Sequence, residues 1–291
     1  MKQRVITAVC LLAVLALVVW QIKTPVLVIV VALLSAIASG EIMRCANVQN
    51  TAIKIIGIAF SALTPFFASS KVMMPWISMD TWSVVIDFIP NIVFVIALCL
   101  VFLLAMLKGY AYTSFEDVSI SIFASVIVPY GFSLFIRLRD MFDNMQFGVY
   151  LIFFALICAL ATDTGAQLTG MAFGKHKMSP NISPKKTVEG AVGGLIFSLV
   201  LNAVALILYN KIANVPLDKN MATVLMIVCL PISFMGMMGD LSASVLKRNF
   251  GIKDFGKIFP GHGGVMDRLD STLFTLPCTY AVALITRHFL A

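Results

Sequence analysis

VEGAVGGLIFSLVLNAVALILYN, residues 188–210, carries one acid at its second position and no charge after it. Its apolar residues run on without the period-two alternation of a half-buried strand. Eight more runs read the same way, at about 4–21, 24–40, 52–69, 82–107, 117–136, 147–172, 222–246 and 271–289. In lipid every backbone N–H and C=O must be bonded internally, which leaves helices or a closed barrel. Unbroken runs of roughly 17–25 residues select helices. The composition agrees: 60% of residues are hydrophobic, 12% are charged and the mean hydropathy is +0.99. A soluble domain is about 45–50% apolar. The expected fold is all-α and polytopic, with about nine membrane helices and a polar cavity open to the cytoplasm.

Two runs carry signs of irregularity. Segment 82–107 contains Asp87, Pro90 and Asn91, so its first part is expected to kink or lie at the interface. Segment 222–246 contains Pro231, Gly236, Gly239 and Asp240, and a break before its end would open a polar pocket at membrane depth. Lys2 and Arg4 precede the first run as in a signal peptide, but no small-x-small cleavage site follows, so a retained helix is expected. The six cysteines are scattered and suggest neither metal spacing nor a disulfide framework. Gly170–Gly174 and Gly190–Gly194 give two G-x-x-x-G spacings, read as close helix packing.

With the N-terminus in the cytoplasm and nine alternating spans, fourteen Lys and Arg residues fall on the cytoplasmic side and seven on the other. This bias favours that orientation. The chain divides by content into N-terminal membrane helices, 1–145, and C-terminal membrane helices bearing the polar motifs, 146–291. No separate soluble domain and no nucleic-acid-binding element is expected.

Against this apolar background stands SVLKRNFGIKDFGKIFPGHGGVMDRLD, residues 244–270. Lipid rejects such a charge density, so the segment lies at a membrane surface or lines a polar cavity. Basic residues can hold phosphates, carboxylates can hold a hard cation, and glycines let backbone N–H groups approach a ligand. Asp240 and Ser244 are four apart on one helix face, and Lys247 and Arg248 continue it. Asp267 and Asp270 would share a face if 265–290 is helical. Pro260-Gly261-His262-Gly263-Gly264 reads as a tight turn, with His262 either donating to a phosphate or holding the turn. Ser183 reads as an N-cap with Pro184 at the first helical position, which would put Lys185 and Lys186 at a helix N-terminus, where an anion is favoured. Asp163 sits near an interface, with Gln167 one turn on to share its hydrogen bonds.

The order Ser244, Lys247-Arg248, Lys253-Asp254, Pro260, His262-Gly263-Gly264, Asp267-Arg268, Asp270 resembles the C-terminal motif of the phosphatidate cytidylyltransferases (CDP-diacylglycerol synthases), without departure. A second block, Asp163-Thr164-Gly165-Ala166 with Ser183-Pro184-Lys185-Lys186-Thr187-Val188-Glu189-Gly190, is similar to the same family. The N-terminal half resembles it only in being hydrophobic. The resemblance implies an integral enzyme of the cytoplasmic membrane, with its site facing the cytoplasm, that makes CDP-diacylglycerol and pyrophosphate from CTP and phosphatidate. It implies Asp240, Asp267, Lys247, Arg248 and Asp270 as catalytic residues. Asp240 and Asp267 would hold magnesium, and a second cation could bridge them. Ser244, Lys185, Lys186, Lys253, Asp254, His262, Gly263, Gly264, Arg268 and Asp163 would contact substrates. A homodimer is compatible with it. The rival readings are a CTP-dependent polyprenol or phytol kinase, a cytidylyltransferase for another lipid acid, and an ion-coupled transporter using Asp163 and Asp240 as ion sites.

Overall fold

A computed structural model describes residue 13 and residues 16–68, 83–111, 113–142, 144–213, 215–261 and 263–290. The first expected span, 4–21, lies largely outside these, and so does His262. In chain order the elements are α1 (Val26–Cys45), α2 (Thr51–Leu63) running into a 3-10 turn (Thr64–Ala68), α3 (Ser83–Lys108), α4 (Phe115–Ile122), a π turn (Phe123–Ile127), α5 (Val128–Asp140), α6 (Met145–Phe173), β1 (Lys177–Ser179), β2 (Ser183–Thr187), α7 (Val188–Ile212), α8 (Lys219–Asn249), α9 (Met266–Leu269) and α10 (Thr272–Leu290).

Six helical stretches among the described residues are long and apolar enough to cross a membrane: Val26–Cys45, Thr51–Ala68, Phe115–Asp140, Met145–Phe173, Val188–Ile212 and Lys219–Asn249. The protein is therefore a helical integral membrane protein. The helices begin where side chains satisfy their first N–H groups. Asn50 Oδ1 accepts from Ala52 N at 3.0 Å, Ser114 and Asp117 form a reciprocal capping box, and Asp218 Oδ2 accepts from Asn220 N at 3.0 Å.

The chain forms two compact units: Met1–Asp140 with Ile252–Arg268, and Met141–Gly251 with Leu269–Ala291. In the first, α1 packs on α2 and α5. Arg139, counted as a loop charge in the orientation argument, is fully buried here. Its Nε meets Asp140 Oδ1 at 2.7 Å, and its Nη1 donates to the carbonyls of Ile22 (3.2 Å) and Thr24 (3.3 Å). The run read as one helix over 117–136 is interrupted by the π turn, a rare element that occurs mostly as a single turn inside an α-helix.

In the second unit α6 and α7 make the closest helix pair. A Cβ on Gly194 would lie 2.5 Å from the Thr162 carbonyl oxygen, and one on Gly165 would lie 2.5 Å from Phe197 Cβ. Small residues thus let the two backbones touch, as the G-x-x-x-G spacing at 190–194 predicts. The apolar outer face of α7, with Val192, Ile196, Val200 and Ile207 exposed, suits lipid. Helix α8 runs unbroken through Pro231 and Gly236 to Asn249, so the expected break before its end does not occur. Pro231 removes one backbone bond, but packing of Ile232, Ser233, Gly236 and Gly239 in the interior carries the helix through.

Two further corrections bear on the motifs. Ser183–Thr187 is a strand paired antiparallel with Lys177–Ser179, so Ser183 is not a helix cap and Lys185 and Lys186 are not at a helix N-terminus. The cap is Thr187, whose hydroxyl accepts from Gly190 N at 3.1 Å. Nor is 265–290 one helix: α9 ends at Leu269 and α10 begins at Thr272. Asp270 Oδ1 takes the Ser271 N–H at 2.8 Å, a local bond that competes with helical continuation.

Candidate functional site: a cationic glycine loop and an acidic cluster

The first unit holds the loop 252–268. Phe259 N donates to Gly263 O at 2.9 Å, closing a tight turn in which Gly261 and Gly263 have φ of 77° and 85°. Those values are strained for residues bearing a Cβ, which explains glycine at both positions. Around the turn is a cavity of about 600 Å³ lined by Lys253, Asp254, Gly256, Lys257, Phe259, Pro260, Gly261, Gly263 and Arg268. Three cations face one carboxylate there, which suits a polyanion.

Two carboxylates shape this loop from behind. Asp267 Oδ2 accepts from Phe255 N at 2.7 Å and Gly264 N at 3.0 Å. Glu41, on α1 and only 1% exposed, accepts from Val265 N at 3.1 Å (Oε1) and from Met266 N at 3.0 Å (Oε2). Cys45, one turn further along α1, donates to Phe255 O at 3.0 Å. These contacts group 252–268 with the N-terminal helices. Sequence reading passed over Glu41, which falls just beyond the run assigned to 24–40. The available signal was a lone acid inside an otherwise apolar helix, a position that is costly unless it has a purpose.

The second unit gathers charge from four elements. Asp240 of α8 pairs with Lys186 of β2. Lys247, two turns further on the same face, brings its Nζ to 4.0 Å from Asp270 Oδ2. Asp163 of α6 accepts from the Ser271 hydroxyl at 3.0 Å; Gln167, its expected partner, is exposed instead. Burial pushes Asp270 up to about 7, with Asp240 and Asp163 adding to the rise and Lys247 opposing it. Ser244 lies one turn from Asp240 on α8, as expected. Arg248 is exposed, and its Nε donates to Ile182 O at 3.4 Å; Lys185 is exposed on β2.

The sequence candidates thus fall into two sets. Asp163, Lys186, Asp240, Lys247 and Asp270 are brought together in the second unit. Lys253, Asp254, Gly263 and Arg268 line the cavity of the first, with Gly264 buried behind them. Asp240 belongs to the second unit and Asp267 to the first. Among the described residues no group of three or more His, Cys, Asp or Glu side chains is disposed to hold a metal unaided. A larger groove of about 670 Å³, lined by Leu199, Leu206, Met226, Ile227 and Leu230 among others, bears no charge and offers nothing to a phosphate.

Comparison with known proteins fits this geometry. The phosphatidate cytidylyltransferase of Bacillus subtilis is 38% identical over 167 residues, 57% of this chain and 58% of that protein. That of Staphylococcus saprophyticus is 42% identical over 165 residues, 56% and 58% of the two chains. That of Staphylococcus aureus (strain COL) is 41% identical over 164 residues, again 56% and 58%. Each match therefore spans under two thirds of the relative. The profile of the cytidylyltransferase family extends over residues 2–286. With almost every described element inside that range, the chain belongs to the cytidylyltransferase family.

Proposed function

We propose that the protein transfers the CMP moiety of CTP to phosphatidate, releasing CDP-diacylglycerol and pyrophosphate. The observation that carries the reading is the glycine-turn cavity lined by Lys253, Lys257 and Arg268, in a membrane protein of the cytidylyltransferase family. A lipid substrate and a water-soluble triphosphate both have access to a polar site on such a protein. The names of the relatives support phosphatidate as the acceptor.

In this reading a phosphate oxygen of phosphatidate attacks the α-phosphorus of CTP. The bond from that phosphorus to the β-phosphate bridging oxygen breaks, and pyrophosphate leaves with the electron pair. No protein nucleophile is needed; positioning and charge stabilisation supply the catalysis. Lys253, Lys257 and Arg268 hold phosphates in the loop cavity, with Asp254, His262 and Gly263 as further substrate contacts and Gly264 supporting the turn from behind. Within the second unit, Lys247, Lys185, Lys186 and Arg248 offer positive charge to a phosphate. Ser244 and Asp163 complete the contacts there, and Asp270 holds Lys247.

The acidic cluster also fits a hard cation. Burial forces Asp270 up to about 7, and the nearby carboxylates of Asp240 and Asp163 add to the rise, so a further positive charge is favoured there. Magnesium needs only one or two carboxylates when waters and substrate phosphates fill its shell. Asp240 is its proposed ligand on this ground, and Asp267 on the ground of the motif. Bound there, magnesium would neutralise charge on the triphosphate. The finer architecture belongs to the same proposal: nine membrane helices in the cytoplasmic membrane, with both motif blocks on the cytoplasmic side.

The test is incubation of the purified protein with CTP, phosphatidate and magnesium in mixed micelles. Pyrophosphate and CDP-diacylglycerol in equal amounts, abolished by EDTA, are expected. CDP release would signal a kinase, and no turnover would return the transporter.

A further inference from the structure

We infer that Glu41 is a positioning residue: from a membrane helix it fixes the shape of the 252–268 loop and thereby the protein's affinity for nucleotide triphosphate. The second half of that statement rests on the proposed function; the first does not.

Both carboxylate oxygens of Glu41 are spent on the loop, one on Val265 N and the other on Met266 N. An acid whose role was to knit the N-terminal helices would bond to those helices. The loop is built around this carboxylate. A Cβ added to either Gly256 or Gly264 would run into it. These two glycines sit on opposite limbs of the loop, with seven residues between them, Gly261 and Gly263 of the turn included, so one side chain gauges the spacing of both limbs. Cys45 grips Phe255 O on the first limb, and Asp267 ties Phe255 N to Gly264 N across the pair. The cavity cations lie just outside this frame, with Lys253 and Lys257 flanking Phe255–Gly256 and Arg268 following Met266 and Asp267.

A hydrophobic residue at 41 would suit a membrane helix better, since an acid there is costly. The cost is offset only where the carboxylate receives both N–H groups, and this couples the depth of α1 to the geometry of the cavity. Glu41 itself does not face the cavity, so it acts on substrate through the backbone it holds.

The experiment uses the full-length protein in detergent and two readouts. The first is limited trypsin cleavage after Lys253 and Lys257, both exposed, which needs no activity. The second is the split between KM for CTP and KM for phosphatidate. In Glu41→Gln, cleavage should quicken by about tenfold or more as the loop opens locally. KM for CTP should rise by about tenfold or more, with KM for phosphatidate unchanged. Gly264→Ala leaves α1 intact and guards against a folding defect of the Glu41 variants; it should give the same two changes. In the Glu41→Ala background the added methyl has room, so Glu41→Ala/Gly264→Ala should be no worse than Glu41→Ala alone. Unchanged trypsin cleavage in Glu41→Gln overturns the inference, as does a double variant whose defects simply add. If Glu41 controls cleavage but no variant, wild type included, makes CDP-diacylglycerol, the positioning role stands and the proposed reaction falls.

Discussion

Replacing Lys247 with methionine separates two jobs that the lysine performs in this structure. It keeps the length of the side chain and removes the charge 4.0 Å from Asp270 Oδ2. At that distance and an effective dielectric constant near 20, the gross attraction is about 4 kcal/mol. The measurable loss of stability should be much smaller, because Asp270 can escape by taking a proton. Its pKa is already about 7, raised by burial and by Asp240, and its side chain is largely buried, so little solvent screening intervenes. A carboxyl raised in the folded state is stabilising when protonated. That contribution is full below the unfolded value and is lost as pH rises through the folded one. Losing Lys247 lifts the folded value further, so the wild type and the variant differ only above pH 7. The difference is capped at about 1.4 kcal/mol at pH 8, from roughly 1.4 kcal/mol per pH unit. Thermal unfolding in EDTA should therefore show no change at pH 6 and a drop of roughly 2–4 °C at pH 8. The phosphate-binding job is read separately. At pH 6 the variant is as stable as wild type, and kcat/KM for CTP should still fall by roughly 10–1000-fold. Normal kcat/KM at pH 6 would reduce Lys247 to a counter-ion for Asp270. A destabilisation as large at pH 6 as at pH 8 would refute the protonation argument.

Asp240→Asn and Asp267→Asn should each nearly abolish turnover while the protein still inserts and purifies normally; more than about half of wild-type rate at saturating magnesium would remove either from the proposed metal site. Gly194→Val should separate α6 from α7, because its Cβ would meet the Thr162 carbonyl, and gel filtration in detergent should show loss of the folded peak; an intact peak would mean the helices yield more easily than the contact implies. In a variant lacking native cysteines, single cysteines at 177 and 257 should label from the cytoplasmic side in sealed vesicles. Labelling of either from the opposite side would undo the proposed orientation.

The membrane helices were legible because hydrophobic length is a local signal. The runs at 147–172 and 188–210 became Met145–Phe173 and Val188–Ile212, within two residues at each end. The π turn at Phe123–Ile127 was not legible, since an apolar run looks the same whether its carbonyls bond four or five residues on. Ser183-Pro184 misled because proline at the first turn of a helix and proline in a short strand present the same letters. There the pairing with Lys177–Ser179 decided the outcome. The expectation that Asp240, Ser244 and Lys247 share a face needed only helical spacing, and α8 supplies it. Glu41 stood out as a lone acid beside an apolar run, but its partners lie 224 and 225 residues away, and no local pattern points that far.

That separation also bears on how the protein is made. Glu41 leaves the ribosome early and is committed to a membrane helix while Val265 and Met266 are still unsynthesised. A nascent chain shorter than this carries a buried acid without the N–H groups that receive it in the finished protein. The first membrane unit is therefore completed only after α6, α7 and α8 have been translated, and its assembly is tied to the arrival of the glycine loop. Early arrest of translation would strand an N-terminal half with an unmet charge, a natural mark by which quality-control machinery could tell an unfinished chain from a finished one.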